Sequence, residues 1–107
     1  QLIQVLTNLL RNATQAEGVR RIRLTARRRD DSFCLTVEDD GCGIAEDDRP
    51  RVFDPFFTTK PVGQGSGLGL SMVHRIINDH GGSIGTFGSA LGGAGFEIVL
   101  PLEDTTP

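Results

Sequence analysis

Cysteine is scarce in this sequence: Cys34 and Cys42 are the only two among its 107 residues. Their spacing matches neither a zinc-binding pattern nor a disulfide framework, so both kinds of scaffold are excluded. Cys34 lies in an alternating strand pattern, where we expect it to be packed or lightly exposed. Cys42 lies between two glycines and is interpreted as a small loop residue, with a reactive thiol near a ligand as the alternative.

A signal peptide and any apolar run of membrane-spanning length are also missing. Hydrophobic residues make up 37% and charged residues 23%, which is typical of a soluble domain with a single core. The net charge of −3 argues against a nucleic-acid partner. The chain begins in helical sequence without an initiator methionine. We therefore expect one domain at residues 1–107, taken from a longer cytoplasmic protein whose attachment to a membrane is left open.

Hydrophobic periodicity divides the chain into two helices, two hairpins and one short helical turn. Gly18 is expected to end the first helix, and Pro50 to break the short turn. Together these elements predict an α/β (α+β) two-layer sandwich with helices on one face of the sheet. The predicted elements are a helix at residues 1–17, a hairpin at 21–28 and 32–38, a turn within 45–53, a helix at 68–79 and a hairpin at 83–87 and 96–100.

Arginine is concentrated between Arg20 and Arg29. Arg21 and Arg23 alternate with the apolar residues Ile22 and Leu24, which is typical of a strand with one solvated face. Docking to a partner is the alternative interpretation.

Four glycines alternate in the run GQGSGLGL directly before the second predicted helix: Gly63, Gly65, Gly67 and Gly69. Such a run lets backbone N–H groups approach a polyanion, and the helix N-terminus adds orphan donors and a favourable dipole. A plain flexible loop is the alternative. Three other segments precede the run in the chain and favour the phosphate-binding interpretation: NLLRNA, DDGCGI and FDPFFTTK.

Asn8 and Asn12 are four residues apart and therefore share one face of the first helix. Two amide oxygens on one face suit Mg²⁺, which takes oxygen ligands alongside substrate phosphates. The alternative is a pair of polar residues on the solvent side of an amphipathic helix.

Asp39 follows a predicted strand and precedes Gly41 and Gly43. A carboxylate at a strand end can accept a hydrogen bond from the exocyclic amine of adenine, and the glycines let the ring lie close to the backbone. An ordinary Asp-Gly turn is the alternative. The other acidic residues nearby are assigned to solvent: Asp40, Glu46, Asp47 and Asp48.

Residues 54–67 contain two prolines and three glycines without periodicity, which predicts a long loop. Phe53, Phe56 and Phe57 are interpreted as anchors of a lid or as a satellite hydrophobic cluster. Lys60 either reaches a phosphate or faces water. His74 and His80 are expected to be structural or exposed.

The four segments resemble, in order, the N box, first glycine box, F box and second glycine box of sensor histidine kinases. GGAGFEIVLP resembles the closing strand of the same catalytic domain. The resemblance covers nearly the whole chain. It implies the Bergerat-type ATP-binding fold shared with gyrase and MutL, with a mixed, mostly antiparallel sheet.

The resemblance also implies roles for individual residues. Asn12 would bind magnesium with help from Asn8, Asp39 would read adenine, and residues 55–67 would form a lid over the phosphates. The residues implied to contact ATP are Asn8, Asn12, Gln15, Asp39, Gly41, Gly43, Ile44, Phe53, Thr59, Lys60, Gly65, Ser66, Gly67, Leu68, Gly69 and Leu70.

Two departures from the family pattern concern Gln15 and the sheet. Gln15 stands where many members have a lysine or arginine, and Lys60 is a candidate substitute. Members usually carry a strand before the first helix, which this chain begins too late to include. Related ATPases have a glutamate general base at the position of Asn8, and an amide cannot take a proton from water. This favours a phosphotransferase over a hydrolase.

The expected function is that of the catalytic, ATP-binding half of a two-component histidine kinase. The implied partners are a helical dimerisation and phosphoacceptor domain of the same protein and, indirectly, a response regulator, in a homodimeric parent. A gyrase- or MutL-like ATPase clamp and a non-catalytic nucleotide-binding module are the alternatives.

Overall fold

The computed structural model describes residues 2–15, 18–54 and 69–101, in the predicted order of helix, hairpin, helix and hairpin. Neither described α-helix is long and apolar enough to cross a membrane. The elements are α1 Leu2–Thr14, β1 Ile22–Arg29, β2 Ser32–Asp39, a 3-10 helix Glu46–Arg51, α2 Gly69–Asp79, β3 Ser83–Gly88 and β4 Ala94–Pro101.

The strands form one antiparallel sheet in the order β1-β2-β4-β3, so β1 and β3 are its edges within the described residues. The register pairs Val37 of β2 with Leu24 of β1 and with Phe96 of β4. Because side chains alternate between the two faces of a strand, one face carries Val37 and Phe96 and the other carries Cys34 and Glu38. The expected two-layer sandwich is confirmed.

Both helices cover the face that carries Val37. The apolar residues of α1 recur at a spacing of four, and those of α2 lie on a single stripe, so each helix buries one side. Burying a large apolar side chain contributes about 1.5–3 kcal/mol, and this shared core fixes the helices over the sheet. The core includes Val5, Leu9, Ala13, Val37, Val73, Ile76, Ile77, Phe96 and Ile98.

The two helices run antiparallel where they touch. The Nε2 of Gln4 lies 3.3 Å from the Sδ of Met72. One turn later on α1, the Oδ1 of Asn8 lies 3.6 Å from where a Cβ would stand on Gly69. Moving forward along α1 therefore means moving toward the N-terminus of α2. Asn12, one further turn on, lies about 6 Å beyond Asn8 along the helix axis.

Two predicted boundaries were wrong. Pro50 does not break the short turn but lies inside the 3-10 helix, because its fixed φ suits that conformation and Asp48 and Val52 supply the flanking N–H donors. The first helix ends at Thr14, before Gly18. The Thr14 hydroxyl donates to the carbonyl of Arg11 at 2.8 Å, a local bond that competes with helix continuation.

The outer face and the β1 edge carry the arginine cluster. The six arginines between residues 20 and 29 are all exposed, as predicted for a solvated strand face. Cys34 is buried and Cys42 is exposed in its loop, which agrees with the sequence interpretation.

Candidate functional site

Asp39 is the last residue of β2 and only 2% exposed. Its Oδ1 accepts hydrogen bonds from the backbone N–H of Gly41 at 2.9 Å and of Ala94 at 3.2 Å. Within the described part of the chain, every hydrogen bond to this carboxylate goes to Oδ1. The backbone therefore fixes the orientation of the side chain, and Oδ2 is the oxygen that can accept from a ligand.

Gly93 is a member of this site that the sequence analysis missed. A Cβ on Gly93 would overlap Oδ1 of Asp39 and lie 2.6 Å from the amide nitrogen of Gly41. Gly43 has a φ of 76° and faces Gly93, with its Cβ position 3.5 Å from the Gly93 carbonyl carbon. Next to Asp39, the chain at Gly93 and Gly43 therefore presents backbone atoms and no side chains. The segment GGAGF signalled a turn, but the strand register was needed to bring it to Asp39.

Asn8 and Gly69 form a second part of the site, at the N-terminus of α2. Asn8 and Asn12 are both partly buried. The helix begins at Gly69, where backbone N–H groups lack intrahelical partners. The structure therefore brings Asn8 to the helix end that the glycine run precedes, with Asn12 one turn further along α1.

Several other predicted contact residues pack on the core. Ile44, Phe53 and Leu70 are partly buried against it. The ring of Phe53 lies 5.4 Å from that of His74 and meets Phe96 edge-on at 6.2 Å. Phe53 therefore packs against the main core through Phe96.

The remaining predicted site residues divide into two groups. Gln15 is exposed at the turn after α1, and its N–H donates to the carbonyl of Arg11. The proposed lid at 55–67 falls outside the described residues, so its roles stay predictions. The same holds for Phe56, Phe57, Thr59, Lys60, Gly65, Ser66, Gly67 and Leu68.

The assignment of Asp40 to solvent was wrong. Its Oδ1 accepts from the backbone N–H groups of Arg20 and Arg21, at 2.7 and 2.8 Å. These two hydrogen bonds lower the pKa of Asp40 below its ordinary value. The side chain holds the segment that enters β1, because that segment has no strand partner for those two N–H groups within the described residues.

Glu38 forms a buried polar network on the opposite face from Asp39. Its Oε2 accepts from the Nε of Arg23 at 3.0 Å, and its Oε1 from the hydroxyl of Ser89 at 2.9 Å. The hydrogen bond from Arg23 lowers the pKa of Glu38, burial opposes this, and the bond from Ser89 adds to the lowering. Sequence patterns did not predict this network, since Glu38 and Ser89 are 51 residues apart.

Glu38 is expected to make folding sensitive to acid. Its pKa is lower in the folded than in the unfolded protein, so its contribution to stability is present above the unfolded pKa and is lost as pH falls through the folded value. Glu38→Gln should be less stable than wild type at pH 7, and the difference should shrink toward about pH 3. Urea unfolding across this range tests it. The matched control is Glu97→Gln, on the exposed outer face. A difference that stays constant with pH would contradict the prediction.

A two-layer sandwich with a buried strand-end carboxylate packed against glycine backbone, and an amide beside a helix N-terminus, fits a class of nucleotide-binding ATPase. Residues 1–104 match the model of the histidine kinase-, DNA gyrase B- and HSP90-like ATPases. The chain belongs to this family, and the resemblance seen in the sequence is confirmed.

The similar proteins are sensor histidine kinases. The chain is 45% identical to the signal transduction histidine-protein kinase AtoS of Escherichia coli strain K12, over 95% of this chain and 17% of that protein. It is 41% identical to the sensor protein FixL of Bradyrhizobium diazoefficiens, over 97% of this chain and 21% of that one. The chain thus spans about a fifth of the length of these curated relatives.

Solved structures support the same fold. The catalytic domain of histidine kinase ThkA superposes with a TM-score of 0.83 at 38% identity, covering 94% of this chain and 66% of that one. Full-length ShkA in complex with AMPPNP gives a TM-score of 0.85 at 34% identity, covering 99% of this chain and 22% of that one. The fold is that of the ATP-binding domain of histidine kinases.

Proposed function

We propose that this chain binds Mg-ATP and donates its γ-phosphoryl group to a histidine on a separate helical domain of the same protein. The observation that carries the proposal is the buried carboxylate of Asp39, whose Oδ1 is held by two backbone N–H groups. A carboxylate fixed in this way presents Oδ2 as a directed acceptor. The exocyclic amine of adenine is a matching donor, and the glycine backbone at Gly43 and Gly93 lies beside the carboxylate.

The phosphates are proposed to bind at the N-terminus of α2. Orphan N–H groups and the helix dipole favour negative charge there. Asn8 lies beside the first residue of α2, and Asn12 lies on the same face of α1. Within the described ranges, no cluster of His, Cys, Asp or Glu could hold a metal ion. Amide oxygens are suitable Mg²⁺ ligands, so Asn12 and Asn8 would hold the ion, which would offset phosphate charge.

Transfer to a protein acceptor is favoured over hydrolysis by the residue at position 8. An amide cannot remove a proton from an attacking water, so the site lacks a general base there. Its contribution to catalysis is then positioning and electrostatic stabilisation of the phosphates. The acceptor would lie on a helical dimerisation domain of a homodimeric parent with this part in the cytoplasm. A response regulator would receive the phosphoryl group afterwards.

A phosphotransfer assay tests the proposal. With γ-labelled ATP, the isolated chain is expected to remain unlabelled, because neither His74 nor His80 matches an acceptor motif. A separately supplied helical domain of the parent protein should become labelled when the chain is present. Stable label on the chain itself, or failure to label the full-length parent, would contradict the proposal. Rapid phosphate release without labelled protein would instead indicate an ATPase clamp.

Asn12→Ala is expected to remove the Mg²⁺-dependent part of ATP binding and to leave some metal-free binding through adenine. A lost charge-assisted contact of this kind should weaken Mg-ATP binding by roughly tenfold or more. Calorimetric titration with and without Mg²⁺ measures the Mg²⁺-dependent and the metal-free parts of ATP binding. Thr14→Ala, an exposed change two residues later, is the control. Identical behaviour of Asn12→Ala and wild type would make Asn12 a structural residue.

A further inference from the structure

Two consecutive carboxylates hold the same turn from opposite faces of the sheet. Glu38 and Asp39 are 7% and 2% exposed, and strand alternation points Glu38 outward and Asp39 toward the helices. The turn is residues 89–93, which joins β3 to β4. Each carboxylate is hydrogen-bonded to this turn or to the residue directly after it.

Glu38 holds the turn through Ser89. The Ser89 hydroxyl donates to Oε1 of Glu38, and the Oγ of Ser89 itself accepts from the N–H of Leu91 at 3.0 Å. The backbone of Ser89 also bonds within the turn, since its N–H donates to the Gly93 carbonyl at 2.9 Å. Ser89 is therefore the point where the turn is joined to the sheet. Arg23 fixes the other oxygen of Glu38 from the edge strand.

Asp39 meets the far end of the same turn. The N–H of Gly93 donates to the Asp39 carbonyl at 3.1 Å, and the N–H of Ala94 donates to Oδ1 at 3.2 Å. The second bond is at the long end of the normal range, so a small shift of the turn would break it. Asp39 would then keep only the bond from Gly41, and its carboxylate could rotate.

We propose that Glu38 and Ser89 are positioning residues for base selectivity: by anchoring turn 89–93, they keep the Ala94 amide on Asp39 and thereby aim Oδ2. The inference rests on the proposed function, since it assumes that Asp39 reads the base. It assigns a role in nucleotide recognition to a pair on the face of the sheet away from the ligand. Neither residue touches the nucleotide.

Ser89→Ala is the test variant, because it removes one hydroxyl and both of its contacts. The ratio of ATP to GTP affinity, measured by calorimetry on folded protein, is expected to fall about three- to tenfold. Hydrogen exchange at the Ala94 amide, measured without nucleotide, should speed up by a similar factor. Ser89→Thr keeps the hydroxyl and should restore both values. Ser83→Ala, an exposed serine on the same face, should change neither.

A merely structural role would lower the melting temperature but leave the affinity ratio and the Ala94 exchange rate, relative to its neighbours in β4, as in wild type. That result would overturn the inference. Glu38→Ala provides a second break of the same contact, and it should reproduce the effect of Ser89→Ala. If wild type binds ATP and GTP equally well, the hypothesis that Asp39 recognises adenine is wrong. The Ala94 exchange rate still decides whether Ser89 holds the turn.

Discussion

Asp39→Asn is expected to weaken ATP binding roughly ten- to hundredfold and to reverse or abolish the preference for ATP over GTP. The asparagine oxygen can still accept from the Gly41 and Ala94 amides, as Oδ1 of Asp39 does. The amide nitrogen then stands in place of Oδ2. It would oppose the donor amine of adenine and would face an acceptor oxygen in guanine. The substitution therefore changes the atom that faces the base and keeps the oxygen that accepts from the Gly41 and Ala94 amides.

Calorimetry with ATP and GTP on folded protein measures this result. Asp40→Asn is the matched control, because it makes the same chemical change one residue later. Its oxygen can still accept from Arg20 and Arg21, and the affinity ratio should stay close to wild type. Equal affinities of wild type for both nucleotides would show that Asp39 does not read the base. So would an unchanged ATP affinity in Asp39→Asn.

Gly93→Ala is expected to cost about 1–3 kcal/mol of folding stability, or more, and to remove most nucleotide binding. The added methyl group would overlap Oδ1 of Asp39 and would lie 2.5 Å from the Asp39 carbonyl oxygen and 2.6 Å from the Gly41 nitrogen. Two of these neighbours are backbone atoms and cannot turn away. The substitution must therefore displace the carboxylate or separate the strand ends.

Chemical denaturation and nucleotide titration of the same sample separate the two losses. Gly85→Ala is the control, since nothing lies within 4 Å of the Cβ position on that strand residue. It should be neutral or slightly stabilising, because alanine restricts the unfolded chain. A Gly93→Ala protein with wild-type stability and wild-type ATP affinity would show that the turn yields freely. The close packing of Gly93 against Asp39 would then be unimportant for ATP binding.

Local patterns were sufficient to predict the elements of this fold. Leu6, Leu9, Leu10 and Ala13 recur at spacings of three and four, which a helix, and not a strand, places on one side. Alternation around Val37 predicted a strand with one inward face, and the structure buries that residue at 1% exposure. Asp39 was expected at a strand end and lies there. These features depend on neighbours a few positions apart, which a sequence displays directly.

Features that depend on strand register were not predictable. Ser89 reaches Glu38, and Ala94 reaches Asp39, only because β4 pairs with β2 across more than fifty residues of chain. The same pairing makes Gly93 obligatory, whereas its sequence suggests an ordinary turn. Asp40 was assigned to solvent because nothing near it in sequence is an obvious donor. Its partners are backbone N–H groups, which every residue except proline offers and no motif reveals.

The arginines of edge strand β1 also bear on how copies of this protein meet. An unpaired strand edge is a template for association with a second chain, and proteins discourage this with charge. Among the described strands β1 is an edge, and besides Arg23, which pairs with Glu38, it carries Arg27, Arg28 and Arg29, so two copies that met edge to edge would bring six further cations together. At 0.1 M salt such repulsion extends about 10 Å and it shortens as salt rises. Colloidal stability should therefore fall with ionic strength, even though folding itself depends on a core that salt does not reach.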